Sequence, residues 1–269
     1  MTACELFIAL LNIIFFPDNK TKVTVGDKIG FQILQVIKKA SRFNQWMFET
    51  ISPFFHGAIL EIGSGVGNIS EFLAQKNDEV TLSDVDIGYI ELLKEQFHCT
   101  KNVKEIIDID LQLPDFLEKY APLKEKYNTV ILLNVLEHLE FEDLAIQNCK
   151  YLLQTEGTLI ILVPAYRFLY SQLDKELGHY RRYTARRIKN RVAKNGLSTE
   201  KIFYFNALGI TAWLYGKIFS LKRIPGFEMS MFDKLIWLAK TIDKIVFHKA
   251  GLSVICVSKK LQTVPSNQP

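Results

Sequence analysis

Residues 58–70, AILEIGSGVGNIS, constrain this chain more than any other stretch. Ala58, Ile59, Leu60 and Ile62 form a short apolar run of strand character. It passes into a turn spaced by Gly63, Gly65 and Gly67. Ile69, Phe72 and Leu73 then recur at helical spacing. Strand, tight loop and helix start in that order belong to an α/β fold. Glycine tolerates positive φ and puts no Cβ between backbone and ligand. The unpaired N–H groups of a helix start favour a polar or anionic ligand group. The spacing is G-x-G-x-G, and Asn68 stands where a dinucleotide fingerprint has its last glycine. A Gly-rich turn that binds nothing is the plain alternative.

At 269 residues the chain reads as one domain with elaborations. A net charge of +4 implies no obligatory nucleic-acid partner. Cys4, Cys99, Cys149 and Cys256 are far apart, which fits a reduced, cytoplasmic setting. The apolar run at 6–16 lacks a basic flank and a cleavage site, and it is too short to span a bilayer. It reads as a packing helix first and a peripheral anchor at the inner membrane second.

From residue 58 onward apolar runs alternate with helical patterns. Strands are expected at 58–62, 79–83, 103–107, 129–133, 158–163, 198–204 and 252–258, with helices between the first six. Two further helices precede them, near 31–38 and 42–51, and a short β-like run lies at 22–25. This alternation predicts right-handed βαβ units and a doubly wound, mostly parallel seven-stranded sheet. The expected organisation is an N-terminal helical cap (1–57), a core (58–205 and 251–260), an apolar helical insertion (206–250) and a disordered tail (261–269).

Ligands of open α/β sheets bind outside the carboxyl ends of the strands. The second strand ends at Asp84, with Asp86 behind it; the third offers Asp108 and Asp110; the fourth ends at Asn134. Glu61 precedes the glycine turn. The pattern E-x-G-x-G-x-G, with these acids and NVLEH after strand four, resembles the class I S-adenosylmethionine (SAM)-dependent methyltransferases, a Rossmann-like family. The resemblance implies SAM as cofactor, backed by Glu61, Gly63, Gly65 and Gly67. It implies ribose hydroxyls held by Asp84, adenine near Asp108, and Asn134 at the cofactor edge. A dinucleotide-dependent oxidoreductase and a non-catalytic SAM-binding module are the readings from other classes.

Asn134 and Glu137 are three apart, with His138 beside them, and His179 follows strand five. This arrangement resembles the 3′-end methyltransferases of small RNAs and the O-methyltransferases of ubiquinone biosynthesis, which carry E-x-x-E-H after strand four. Asn134 here replaces the first Glu. The resemblance implies O-methylation, with His138 and His179 as base or ligands and Glu137, His138 and His179 around Mg²⁺ or Mn²⁺. A metal lowers a hydroxyl pKa and a neutral His takes its proton. His179 acting alone as general base is the simpler alternative. N- and C-methylation stay open.

Between His179 and Thr199 there are seven Arg or Lys residues and no acid. Those at 186–194 read as a solvated helix face. Arg181 and Arg182, beside Tyr180, are candidates for gripping an anionic group of the substrate. GHYRRYT also resembles methyltransferases associated with glycosyltransferases of surface-polysaccharide and glycolipid assembly. That implies a saccharide or lipid-linked acceptor beside other small molecules. The insertion of about 45 residues is long enough to signal function: a lid, a homodimer surface or a peripheral membrane contact. Leu235, Leu238, Ala239, Ile242, Ile245 and Val246 are expected to line its buried stripe, with Trp237 and Phe247 off it.

Overall fold

The computed structural model describes residues 28–218 and 226–262. The apolar run at 6–16, the β-like run at 22–25 and the tail beyond 262 lie outside the described residues. Helices α1 (Lys28–Lys38) and α2 (Ser41–Ile51) lead into the alternating part. It begins with β1 (Ile59–Ile62), α3 (Ser70–Lys76), β2 (Val80–Asp84), α4 (Ile87–Phe97) and β3 (Val103–Asp108). It continues through α5 (Phe116–Lys119), β4 (Tyr127–Leu133), α6 (Glu142–Leu152) and β5 (Leu153–Pro164). A short α7 (Gln172–Glu176), α8 (Ala185–Lys194) and β6 (Ser198–Phe205) follow. Helices α9 (Leu208–Ile218), α10 (Gly226–Lys234) and α11 (Ile236–Ile245) precede β7 (Ser253–Lys259).

The strands form one seven-stranded sheet in the order β3-β2-β1-β4-β5-β7-β6. All pairs are parallel except those of β7, which runs antiparallel to β5 and β6. Successive side chains of a strand leave on opposite faces, so each central strand feeds two cores. Leu60, Val130, Leu132 and Ile161 enter one core with Cys149, Ile188 and Val192. Ile59, Ile131, Ile160 and Leu162 enter the other with Trp46, Leu73, Leu93 and Ile236. The strand order reverses between β1 and β4. Their carboxyl ends flank the switch point at which such sheets leave a crevice.

Among the described residues the insertion holds three helices, and Gly226 starts the second. Its last helix is also rotated from the expected phase. Ile236, Ala239 and Asp243 are buried, whereas Leu235 and Ile245 are 40% and 68% exposed. The reason is polar. Asp243 turns inward because its carboxylate accepts from Asn206 N (2.8 Å) and Ala207 N (2.7 Å), where the chain leaves β6. The insertion also docks on the leading helices. Asp233 accepts from Phe43 N at 2.8 Å, serving the otherwise uncapped start of α2.

The basic face of α8 is paired, not merely solvated. Arg187 and Arg191 reach Glu142 at 2.9 and 2.8 Å, and Arg191 and Lys194 reach Asp143 at 2.9 and 2.7 Å.

Asp243→Ala removes the acceptor of two N–H groups and is expected to cost about 1–3 kcal/mol. The thermal midpoint should fall by about 2–4 °C per kcal/mol lost. Asp243→Asn, which keeps one acceptor oxygen, should lie between. An alanine variant that melts with the parent protein refutes the anchor.

Candidate active site

The glycine loop leaves β1 with Gly63, Gly65 and Gly67 at φ of +74°, +54° and +80°. A Cβ on Gly63 would lie 2.4 Å from Val135 Cγ2, and one on Gly65 would lie 2.9 Å from Leu34 Cδ1. Both positions therefore favour glycine for conformation, and Gly63 for space as well. Serines fasten the loop from behind. Ser83 Oγ donates to Glu61 O at 2.9 Å, Ser64 N donates to Ser83 O at 2.9 Å, and Ser70 Oγ donates to the Glu61 carboxylate. The Glu61 side chain is thus turned into the protein. Burial pushes its carboxyl up to about 7, against the Ser70 and Ser64 hydrogen bonds.

Asp84 is buried at the end of β2 and belongs to the same loop. Its Oδ2 accepts from Gly65 N at 2.9 Å and its Oδ1 from Asp86 N at 3.1 Å. Burial raises its pKa, and the backbone N–H groups of Asp86, Gly65 and Val85 oppose the rise. Asp86 does a different job. It caps α4, accepting from Gly88 N at 2.7 Å. Val85 between them is 63% exposed and presents an apolar surface beside Asp84.

Asp108 departs from expectation. It sits on the edge strand β3, and its half-exposed carboxylate pairs with Lys119 at 2.6 Å. The part of that strand end nearest Asp84 is backbone: Ile109 N donates to Asp84 O at 3.2 Å. Asn134 departs as well. It is exposed, at φ +55°, and Glu137 is fully buried, so the two side chains do not share one face. Asparagine tolerates this left-handed conformation. The resulting bend sets Val135 against Gly63 and sends the chain into the turn Leu136–His138.

That turn meets the loop after β5. Tyr180 N donates to Glu137 O at 2.9 Å. Glu137, His138 and His179 each bring one potential ligand atom within 4.8 Å of the others. The imidazole rings of His138 and His179 stand edge to face with centroids 4.6 Å apart. Neither carboxylate oxygen of Glu137 has a hydrogen-bond partner among the described residues. Burial pushes its carboxyl up to about 8, with its own backbone N–H and the Arg182 charge only partly offsetting this.

Asp174 holds the arrangement from behind. Its Oδ1 meets His179 Nδ1 at 2.9 Å and accepts from Arg182 Nε at 2.8 Å. Its Oδ2 accepts from Ser171 N at 2.8 Å, Ser171 Oγ at 3.0 Å and Arg182 Nη2 at 3.1 Å. A carboxylate acceptor places the His179 proton on Nδ1 and leaves Nε2 as the lone-pair nitrogen. Nothing in the sequence spacing announced Asp174 beyond Ser171-x-x-Asp174, a capping box at the start of α7.

Arg182 is accordingly not a substrate grip. It is buried, forked on Asp174, bonded to Ala165 O at 3.1 Å and stacked on Trp213 of α9 at 4.4 Å. Arg181 is committed too, to Glu140 O at 2.9 Å and Glu142 at 3.3 Å. Of the three residues expected at the substrate, Tyr180 presents an exposed ring, with the Arg181 guanidinium 5.3 Å from its centre.

Glu61 gives a stability prediction. Its pKa rises from 4.5 to about 7 on folding, so the folded state holds that proton more tightly. The contribution is complete below pH 4.5 and is lost as the pH rises through about 7. Glu61→Gln keeps an acceptor for Ser70 without the ionisation. The parent protein should lose stability relative to this variant as the pH rises across that window. Parallel pH-melting curves would refute the assignment.

Comparison with known proteins agrees with this geometry. A family profile described as a methyltransferase domain matches residues 36–202. The ubiquinone biosynthesis O-methyltransferase of Glaesserella parasuis is 26% identical over 192 residues, covering 70% of this chain and 76% of that protein. Other curated relatives, including further ubiquinone biosynthesis O-methyltransferases, are covered over about half of their own length or less. Among solved structures, a SAM-dependent methyltransferase from Archaeoglobus fulgidus superposes with a TM-score of 0.53 at 15% identity, over 81% of this chain and 94% of that one. Phosphoethanolamine N-methyltransferase 2 of Haemonchus contortus, in complex with SAM, does so with a TM-score of 0.57 at 13% identity, over 88% and 59%. The profile spans well over half of the sequence: the chain belongs to the class I SAM-dependent methyltransferases.

Proposed function

We propose that this methyltransferase methylates a hydroxyl group of a small-molecule, saccharide or lipid-linked acceptor. One observation carries the reading. Glu137 is a buried carboxylate that no other described residue serves with a hydrogen bond, in a wall shared with two imidazoles. A group of that kind suits a divalent cation, a substrate hydroxyl or both.

SAM, when bound, supplies an electrophilic methyl group. The chain's part is alignment and deprotonation. The backbone of Gly63, Gly65 and Gly67 gives the cofactor close approach without side chains. Asp84 offers carboxylate oxygens to ribose hydroxyls, and exposed Val85 offers an apolar surface next to them. A divalent cation held by Glu137, His138 and His179 would supply acidification of the acceptor hydroxyl. The donor set fits such an ion: one oxygen ligand and two imidazoles, with further positions left for solvent and substrate. Two imidazoles favour Mn²⁺ over Mg²⁺, which prefers oxygen ligands. His179, with its tautomer fixed by Asp174, keeps a lone pair at Nε2 for a proton or a metal. Exposed Phe141, Phe168 and Tyr180 give the surrounding surface an aromatic character. The similarity to ubiquinone biosynthesis O-methyltransferases is in keeping with an oxygen acceptor.

The test is methyl turnover from SAM across hydroxylated sugars, phenols and lipid-linked acceptors, after chelation and after adding back Mn²⁺ or Mg²⁺. Activity should fall on chelation and return further with Mn²⁺. Turnover that survives chelation in metal-free protein would leave His179 as base without an ion. Transfer only to amines or carbon acids would overturn the hydroxyl assignment.

His179→Ala is expected to lower kcat by about 10²–10⁴ with SAM affinity intact. Asp174→Asn should shift the pH profile of kcat more than it changes KM for SAM. Equal losses in SAM binding would show that these residues act through the fold alone.

A further inference from the structure

The outer face of α11 has a composition the methyltransferase reaction does not use. Trp237 and Phe247 are 66% and 78% exposed, and Leu235 and Ile245 are exposed with them. At about 100° per residue, Trp237, Lys244 and Ile245 fall on one side of the helix. The opposite side, with Ile236, Ala239 and Asp243, is buried. Lys244 and Lys249 are exposed among the apolar side chains. Asp243 is the one acid between residues 234 and 250, and it is committed to the Asn206 and Ala207 N–H groups. Lys240 is paired with Glu49 at 2.8 Å, which leaves Lys244 and Lys249 as the exposed charges beside Ile245 and Phe247.

Large apolar side chains beside lysines match an interfacial helix. The rings enter the headgroup boundary while the ammonium groups meet anionic headgroups. With ten residues, α11 is about 15 Å long, half of the ~30 Å hydrocarbon core. Among the described residues no helix is long and apolar enough to cross a membrane. Such a helix can lie on a bilayer and cannot span it. A second copy seated on this face by two-fold symmetry would bring lysines toward lysines. Charge complementarity selects an anionic partner instead.

We propose that this face of α11 and the turn after it dock on an anionic lipid surface, through Trp237, Ile245 and Phe247 with Lys244 and Lys249. The docking needs neither methyl donor nor acceptor, so it stands or falls apart from the proposed reaction.

The experiment is co-sedimentation of the full chain, without SAM, with vesicles of phosphatidylcholine alone or of phosphatidylcholine and phosphatidylglycerol in equal parts. Binding is expected to the mixed vesicles, weakening as salt is raised. It should bring a blue shift in tryptophan emission that Trp237→Phe removes. The pair Trp237→Ala and Phe247→Ala should lower partitioning by about tenfold or more. The pair Lys244→Glu and Lys249→Glu should abolish the preference for the anionic lipid. Unchanged SAM binding by each variant confirms that it is folded. The proposal is overturned if the parent chain ignores mixed vesicles, if the variants bind as it does, or if Trp237→Ala instead breaks a concentration-dependent dimer.

Discussion

Asp174 has no exposure to solvent, so its charge has to be met inside the fold. Five donor atoms meet it: two from Ser171, two from Arg182 and Nδ1 of His179. That saturates both oxygens. Satisfying this one carboxylate fixes most of the path between β5 and α8, because the donors lie on both sides of α7. It also removes the freedom of His179. A histidine on a surface loop would sample several rotamers and both tautomers. Here one nitrogen is anchored and the other is presented beside Glu137 and His138. Outer groups that hold an imidazole in this way set its orientation.

The other buried acids of this wall make the contrast. Burial pushes the carboxyl of Glu142 up, but Tyr183 and Arg187 outweigh burial and hold it below the usual carboxylate range. Asp174 follows the same rule, with His179 and Arg182 outweighing its burial. Glu137 breaks it. Among the described residues no other residue donates to it, and burial pushes its carboxyl up to about 8. An unmatched buried carboxylate is a cost to folding. Cores shed such groups unless the missing partner arrives with a ligand. The site can therefore be recognised by what its neighbours have and Glu137 lacks.

The sequence made the frame of this arrangement readable and left its wiring hidden. Strand, glycine loop and helix follow from local spacing, and so does the acid ending β2. Hydrophobic periodicity located every strand of the sheet, with ends shifted by a few residues. The roles of the arginines were hidden because a guanidinium is defined by its partner. Arg182 looked like a surface grip, yet the chain folds Asp174 and Trp213 against it. Asp108 was expected near adenine, but β3 is the sheet edge and a lysine of α5 is in reach. The stripe of α11 was misread for a related reason. Apolar spacing favoured Leu235 and Ile245, whereas the need to satisfy two N–H groups turned Asp243 inward and rotated the helix.

Arg182 finally ties the insertion to His179. Its fork lies on Asp174 and its flat face lies over Trp213, a contact of the kind worth about 0.5–2 kcal/mol. Trp213 Nε1 also donates to Leu169 O at 2.9 Å, and Lys217 donates to Phe168 O. Helix α9 therefore covers the guanidinium that shares an oxygen of Asp174 with His179. Lifting α9 would hydrate Arg182, weaken its hold on Asp174 and loosen the imidazole. The insertion is then part of the enclosure that makes the Asp174 ion pair strong, because charge pairs gain strength as water is excluded. A helix joined to the fold late in the sequence keeps dry a histidine placed much earlier, and it does so through one arginine.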